Sequence, residues 1–94
     1  MKLKVFTKKE CPNCPAAKKL VKELEESGIP VEYYDVEDVD GMTEGSFHMV
    51  MATPTTVLVN DSGDEVDSWR GAVPDAEKIR EYFSGGVKEQ KDEV

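Results

Sequence analysis

The sequence holds little of what usually braces a small protein from outside its core. Its 94 residues include two cysteines, one histidine and one tryptophan. So few cysteines exclude the multi-bridge framework of small secreted domains. Tetrahedral zinc needs more protein ligands than these cysteines and His48 supply, so a metal would have to be shared between two chains. No apolar run approaches the ~20 residues of a membrane span. There is no internal repeat and no low-complexity tract. The opening MKLKVFTKKEC carries a charge every few positions in place of the apolar core of a secretory signal. The closing KDEV resembles an endoplasmic-reticulum retention tail, but it ends in Val94 and no secretory signal accompanies it, so it reads as a frayed polar end. These shortages predict one soluble, monomeric, cytoplasmic domain over residues 1–86, with a charged, flexible tail over 87–94. A chain of this length can bury roughly 60–65% of its unfolded surface, enough for a real core.

Positive charge is scarce as well, and unevenly placed. The net charge of −8 argues against nucleic acid and anionic membranes as partners. Yet residues 1–22 hold seven lysines against the single acid Glu10, a balance of +6, which leaves −14 for the rest. The basic part is the part that carries both cysteines. A solvated basic face is the plain reading; a field favouring a thiolate is the functional one. Salt screens charges beyond about 8 Å, so only the nearest lysines, Lys8 and Lys9, would count.

What is present alternates between strand and helix patterns. KLKVFT reads as a strand. Ala17, Leu20, Val21 and Leu24 recur at helical spacing and Ser27-Gly28 before Pro30 stops that helix. VEYYDVE, residues 31–37, is a second strand, parallel to the first. A weak helix is expected from near Thr43, with Gly45 counting against it. TTVLVN, residues 55–60, is a compact apolar run typical of a central strand, and NDSGD turns it into the antiparallel edge strand EVDSW. Pro74-Asp75 opens a last helix with Ala76, Ile79 and Phe83 on its buried stripe, ended by Gly85-Gly86. The order is β-α-β-α-β-β-α, which predicts an α/β fold with a four-stranded mixed sheet and helices on both faces.

Into this pattern falls CPNC, residues 11–14, where the first strand gives way to the first helix. Pro12 suits a first helical position, and Pro15 is tolerable in the first turn. Cys11 and Cys14 then lie on one turn, near enough for a disulfide. The free N–H groups and the positive dipole end of the helix favour a thiolate at Cys11. A structural staple would close only a tiny loop and restrain the unfolded chain little. A metal-bridged, non-catalytic dimer through Cys11 and Cys14 is a second possibility. A redox dithiol is the reading that this strand-to-helix context favours.

With that motif in place the sequence resembles the thioredoxin superfamily over nearly its whole length. The second motif behind the resemblance is ATPTTVLV, residues 52–59, which is similar to the loop with a cis-proline that faces the dithiol in that family; Thr53-Pro54 would be the cis bond. The resemblance implies a thioredoxin fold and dithiol–disulfide oxidoreduction, with Cys11 as nucleophile and Cys14 resolving. It implies thiolate support from Lys8 and Lys9, tuning by Pro12 and Asn13, and substrate binding at Thr53, Pro54, Trp69 and Gly71. Disulfide-containing target proteins and an upstream reductase would be the partners, and beyond the Cys11–Cys14 disulfide no metal or organic cofactor is needed. Within the superfamily, VFTKKECPNC is similar to the entrance of glutaredoxins, whose lysine three residues before the first cysteine is matched by Lys8. The aspartate and tryptophan that thioredoxins carry near the dithiol are replaced by Val5 and Glu10. The Gly-Gly…Asp-Asp segment by which glutaredoxins hold glutathione is absent. WRGAVPDAEKI instead resembles the Trp-x-Gly-x-x-Pro-Asp pattern of small glutaredoxin-like electron donors of ribonucleotide reductase, and small archaeal-type thioredoxins also look similar. A glutathione-dependent glutaredoxin remains the alternative. Among single residues, Trp69 is expected chiefly to pack, Met42, Met49 and Met51 to fill core, and His48 to sit on a helix surface.

Overall fold

Strand β1 (Lys2–Thr7) buries Leu3, Val5 and Phe6 completely, which a half-exposed edge strand could not do. It lies inside the sheet, parallel to β2 (Val31–Asp35) and antiparallel to β3 (Thr55–Val59). Strand β4 (Glu65–Arg70) pairs antiparallel with β3 at the edge, giving the order β2-β1-β3-β4. This computed structural model describes residues 1–92. The mixed four-stranded sheet and its parallel first pair are as the sequence pattern predicts. The strand ends differ by a residue or two, with β2 stopping at Asp35, β3 at Val59 and β4 reaching Arg70. Among the described residues no helix is long and apolar enough to cross a membrane.

The strand alternation sends Leu3, Val5 and Leu58 to one face. There they pack with Val21 and Leu24 of α1 (Cys14–Glu26) and Ile79 of α3 (Ala76–Asp92). Phe6, Val57 and Val59 face the other side, with Tyr34, Val36 and Val50 against them. Helix α2 (Val39–Phe47) lies on that second face. Helix α3 is continuous through Gly85 and Gly86, where the pattern predicts its end. A glycine lowers helix stability by about 1 kcal/mol against alanine but removes no donor. The last two residues of the expected 87–94 tail lie outside the described residues.

Helix α1 starts later than expected, and Pro15 is the reason. Its ring nitrogen has no hydrogen for the carbonyl of residue 11. Cys14 N–H bonds the Cys11 carbonyl instead, at 3.2 Å, so residues 11–14 form a turn with Asn13 as N-cap. Pro12 therefore precedes the helix rather than opening it, and Ala17 N–H makes the helical bond to Asn13 O at 3.1 Å.

Helix α2 departs further from expectation. It begins at Val39 rather than near Thr43, because the Asp38 carboxylate accepts from Gly41 N–H at 3.1 Å and caps it. Its sheet-facing positions are glycines. A Cβ on Gly41 would collide with the Asp35 carbonyl, and one on Gly45 would rest against Val50, Phe6 and Val36 at 3.8–3.9 Å. Glycines on the inner face send Met42 outward. Met42, and Met49 and Met51 just beyond the helix, all expected in the core, are 53%, 72% and 90% exposed.

Both α1 and α2 end in the same double hydrogen-bond motif. In α1, Gly28 N–H bonds Glu25 O and Ile29 N–H bonds Leu24 O, with Gly28 at φ +109°. In α2, Met49 N–H bonds Ser46 O and Val50 N–H bonds Gly45 O, with Met49 at φ +57°. A side chain in this left-handed conformation costs roughly 1–2 kcal/mol, which glycine avoids.

The close approach at Gly41 predicts that Gly41→Ala lowers stability by about 1–3 kcal/mol in urea denaturation. Gly45→Ala, where a methyl group finds ordinary contact, should instead raise stability, by up to about 1 kcal/mol.

Candidate active site

The end of β1 carries the chain out of the sheet at Thr7, whose carbonyl still accepts from Val36 N–H at 2.9 Å. Lys8, Lys9 and Glu10 follow as exposed residues, then Cys11 turns into α1. Phe6 lies opposite Thr55 in the antiparallel register, so the residues preceding β3, Thr53 and Pro54, emerge at the same end. The Thr53–Pro54 bond is cis, as the resemblance implied. The Pro54 carbonyl accepts from Gly71 N–H at 2.8 Å, and Thr55 Oγ1 donates to Ala52 O at 2.7 Å. Gly71 at φ +70° makes the turn just after β4 that allows this.

Cys11 and Cys14 are joined in a disulfide with Cα atoms 5.3 Å apart. Both are buried, Cys11 at 7% exposure and Cys14 at 3%. Pro12 and Asn13 are exposed in the turn between them. Lys8 and Thr53 line one small hollow of about 130 Å³ with Val36, Val50, Met51 and Ala52. Trp69 is not part of that group. It is half-buried and packs against the Leu3–Val5–Leu58 core on the opposite face of the sheet, as do Ala76, Tyr82 and Phe83.

The lysines divide into two populations. Lys2 and Lys4 point from β1 toward the α2 face and are neutralised by Glu32 at 2.8 Å and Glu44 at 2.7 Å. Lys8, Lys9, Lys18, Lys19 and Lys22 are exposed and make no ion pair among the described residues. The unpaired lysines are thus those that follow β1 and those along α1.

His48 is not on the surface. It is 5% exposed, at the C-cap of α2, edge-on to Phe6 and Phe47 with ring centroids 6.1 and 4.9 Å away. Lys4 Nζ donates to its Nε2 at 3.3 Å, which requires a neutral imidazole. Burial first, and then the Lys4 charge, push its pKa below the ordinary value of 6.5, against the pull of Glu44 and Glu65. Arg70 donates to the carbonyls of His48 and Met49 at 3.1 and 3.2 Å and pairs with Glu65. The Lys4–Glu44–His48 cluster and the Arg70 bridge escaped the sequence reading. The available signal was a lysine at an inward position of a central strand, which demands a buried partner. At Val5, where thioredoxins carry an aspartate, the side chain is fully buried core. Its cross-strand neighbour Thr56 holds the one buried side-chain oxygen without a hydrogen-bond partner among the described residues. Among those residues no three of His, Cys, Asp and Glu are grouped as metal ligands.

A family model described as thioredoxin domain matches residues 1–84. A thioredoxin of Methanocaldococcus jannaschii is 34% identical over 64 residues, which is 65% of this chain and 73% of the relative. The solution structure of a thioredoxin from Thermus thermophilus superimposes with a TM-score of 0.63 at 28% identity, over 92% of this chain and 73% of that one. Fasciola hepatica thioredoxin gives a TM-score of 0.68 at 27% identity, over 88% and 77%. A thioredoxin-fold protein from Helicobacter pylori gives 0.71 at 21% identity, over 94% and 71%, a likeness of fold.

In the reduced protein, iodoacetamide at pH 7 should label Cys11 well before Cys14, as read by mass spectrometry of the digest. Replacing Lys8 and Lys9 together by methionine should slow that labelling several-fold, most at low salt. For His48 the sign is set by its lowered pKa. The unfolded chain binds a proton near pH 6.5 that the folded chain refuses, so stability falls as pH drops from 7.5 through 6.5. Urea denaturation at pH 7.5 and 5.5 should show this loss, and His48→Leu should flatten it.

Proposed function

The chain belongs to the thioredoxin domain family, and we propose that it works as a dithiol reductant of protein disulfides. Family and fold support a redox protein. The observation that carries the finer reading is the Cys11–Cys14 disulfide bridging the turn into α1, at the end of the sheet where Thr53 and Pro54 emerge. In the reduced form Cys11, the first cysteine at the turn into α1, attacks one sulfur of the target disulfide as a thiolate. A Cys11–target bond forms, the target S–S bond breaks, and the departing sulfur takes a proton. Cys14 then loses its proton and attacks Cys11 Sγ. The Cys11–Cys14 bond closes and the target leaves with two thiols. Two electrons have moved from this protein to the target, and an upstream reductase must return them.

The residues around the pair fit these steps. Exposed Lys8 and Lys9 favour the attacking thiolate, and Pro12 and Asn13 shape the turn that brings the second sulfur to the first. The backbone at Thr53 offers hydrogen-bonding groups to an extended target segment in the manner of an added strand. Trp69 and Gly71 support this from behind, one by packing and the other by holding the Pro54 carbonyl. A cytoplasmic, reducing setting suits a protein whose working form is the dithiol. The couple is expected nearer about −270 mV than the roughly −200 to −230 mV of glutaredoxins.

One observation favours a glutathione-linked reading, namely that Lys8 and Thr53 share a hollow. The missing Gly-Gly…Asp-Asp segment weighs against it. Turnover of a small mixed disulfide with glutathione and glutathione reductase would decide for that reading.

Cys14→Ser should trap target proteins from a lysate as disulfides with Cys11, released by dithiothreitol. The same variant should reduce insulin at least tenfold more slowly than the unchanged protein. If nothing is trapped and insulin reduction stays at full rate, the two-cysteine mechanism is wrong.

A further inference from the structure

Helix α1 carries its charges in an order that works against its own stability. A helix favours acids in its first turn and bases in its last, because its dipole is positive at the start and negative at the end. Helix α1 has no acid in its first turn and no base in its last. Lys18, Lys19 and Lys22 come first, and Glu23, Glu25 and Glu26 close the helix. Lys22 stands four residues from Lys18 and three from Lys19, spacings at which like charges repel. All three lysines are exposed and make no ion pair among the described residues. Packing does not call for them either, since Cys14, Ala17, Val21 and Leu24 form the buried stripe. Charge set against the helix that bears it is held for another use.

The same lysines lie within reach of the dithiol. A rise of about 1.5 Å per residue puts Lys18 about 6 Å and Lys22 about 12 Å along the axis from Cys14. A partner that covers ~800 Å² centred on the cysteines extends roughly 16 Å in each direction. The surface in between is open, with Pro12, Asn13, Pro15 and Ala16 all exposed. Residues 11–22 contain no acid, and exposed Lys8 and Lys9 precede them. One pole of the molecule is therefore positive, while residues 23–94 hold the balance of −14.

We propose that the lysine-bearing half of α1 docks a carboxylate-rich surface beside the disulfide of an acidic partner protein. The inference rests on the reductase reading, which brings that disulfide to Cys11. With a net charge of −8, this protein repels an acidic partner over most of its surface. Attraction at the positive pole makes the approach that the field permits the approach that sets disulfide against dithiol. A basic partner meets the reverse, attraction elsewhere and repulsion at the site. At physiological salt the field fades over about 8 Å, so the lysines act on carboxylates that come to rest near α1.

The test uses the reduced full-length protein and three probes. Two are peptides with the same intrachain disulfide, followed after three glycines by a run of aspartates in one and of lysines in the other. The third is 2-hydroxyethyl disulfide, which is small and uncharged. At about 20 mM salt the unchanged protein should prefer the acidic peptide at least tenfold in kcat/KM, and at about 0.5 M salt no more than twofold. The triple variant Lys18→Gln, Lys19→Gln, Lys22→Gln should keep its rate on the uncharged disulfide within twofold, yet prefer the acidic peptide threefold or less. Replacing the same three residues by glutamate should reverse the preference. Equal rates of the unchanged protein on the two peptides at low salt, a preference that salt does not weaken, or one that survives the glutamine variant overturns the docking surface and leaves the reductase reading intact. Failure of the unchanged protein to reduce any of the three probes overturns the reductase reading and this inference with it.

Discussion

Everything at the dithiol end depends on β1 being hydrogen-bonded on both sides. A strand paired parallel on one edge and antiparallel on the other has no freedom to shift register without turning its core side chains to the wrong face. Leu3 and Val5 are locked to one face and Phe6 to the other, where its ring stacks on Tyr34 with centroids 5.2 Å apart. The exit of the chain at Thr7 is thereby fixed, and with it the starting point of the Lys8–Cys11 loop. The antiparallel partner delivers Thr53 and Pro54 to the same end by the same register. The site is thus assembled by strand alignment, and the cysteine motif occupies a position that the sheet has already determined.

The two faces of the sheet are built differently, and the difference organises the surface. The α1–α3 face is closed by aliphatic packing around Leu3, Val5, Val21, Leu24, Leu58 and Ile79. The α2 face mixes Phe6, Val57 and Val59 with Lys4, Glu44 and His48. Charge is tolerated there because each group has a partner within reach. The consequence is that the lysines of β1 contribute no free field, while those after Thr7 do. The basic excess of the N-terminal segment is spent internally at one end and left open at the other.

Much of this was legible in the sequence. Apolar alternation and the TTVLV run located the strands, and the spacing of Ala17, Val21 and Leu24 located α1 and its buried face. The strand-to-helix setting of the cysteine pair pointed to its chemistry. What escaped detection were effects that need neighbours. Pro15 delays α1 by a hydrogen bond it cannot make, although proline is statistically at home in a first turn. Asp38 was one acid among several until its carboxylate was seen to cap α2. Gly45 looked like a weakness in a helix, whereas it and Gly41 are the contact that lets α2 lie close to the sheet. Once glycines take the inner positions Met42 must go outside, and hydrophobicity alone misplaces it. His48 is the converse case, a polar residue drawn inside by Lys4 and two aromatic rings.

Arg70 and Gly71 are consecutive residues, and each holds a different part of the working surface. The Arg70 guanidinium grips the His48 and Met49 carbonyls, while the Gly71 amide grips the Pro54 carbonyl. The end of β4 is therefore a two-pronged clip. Besides the few residues that join them, the terminus of α2 and the loop before β3 are held together by one peptide unit and one side chain of this strand end. Two regions only five residues apart in the chain share an anchor at the end of the edge strand, so a displacement of one reaches the other through Arg70 and Gly71 as well as along the backbone between them.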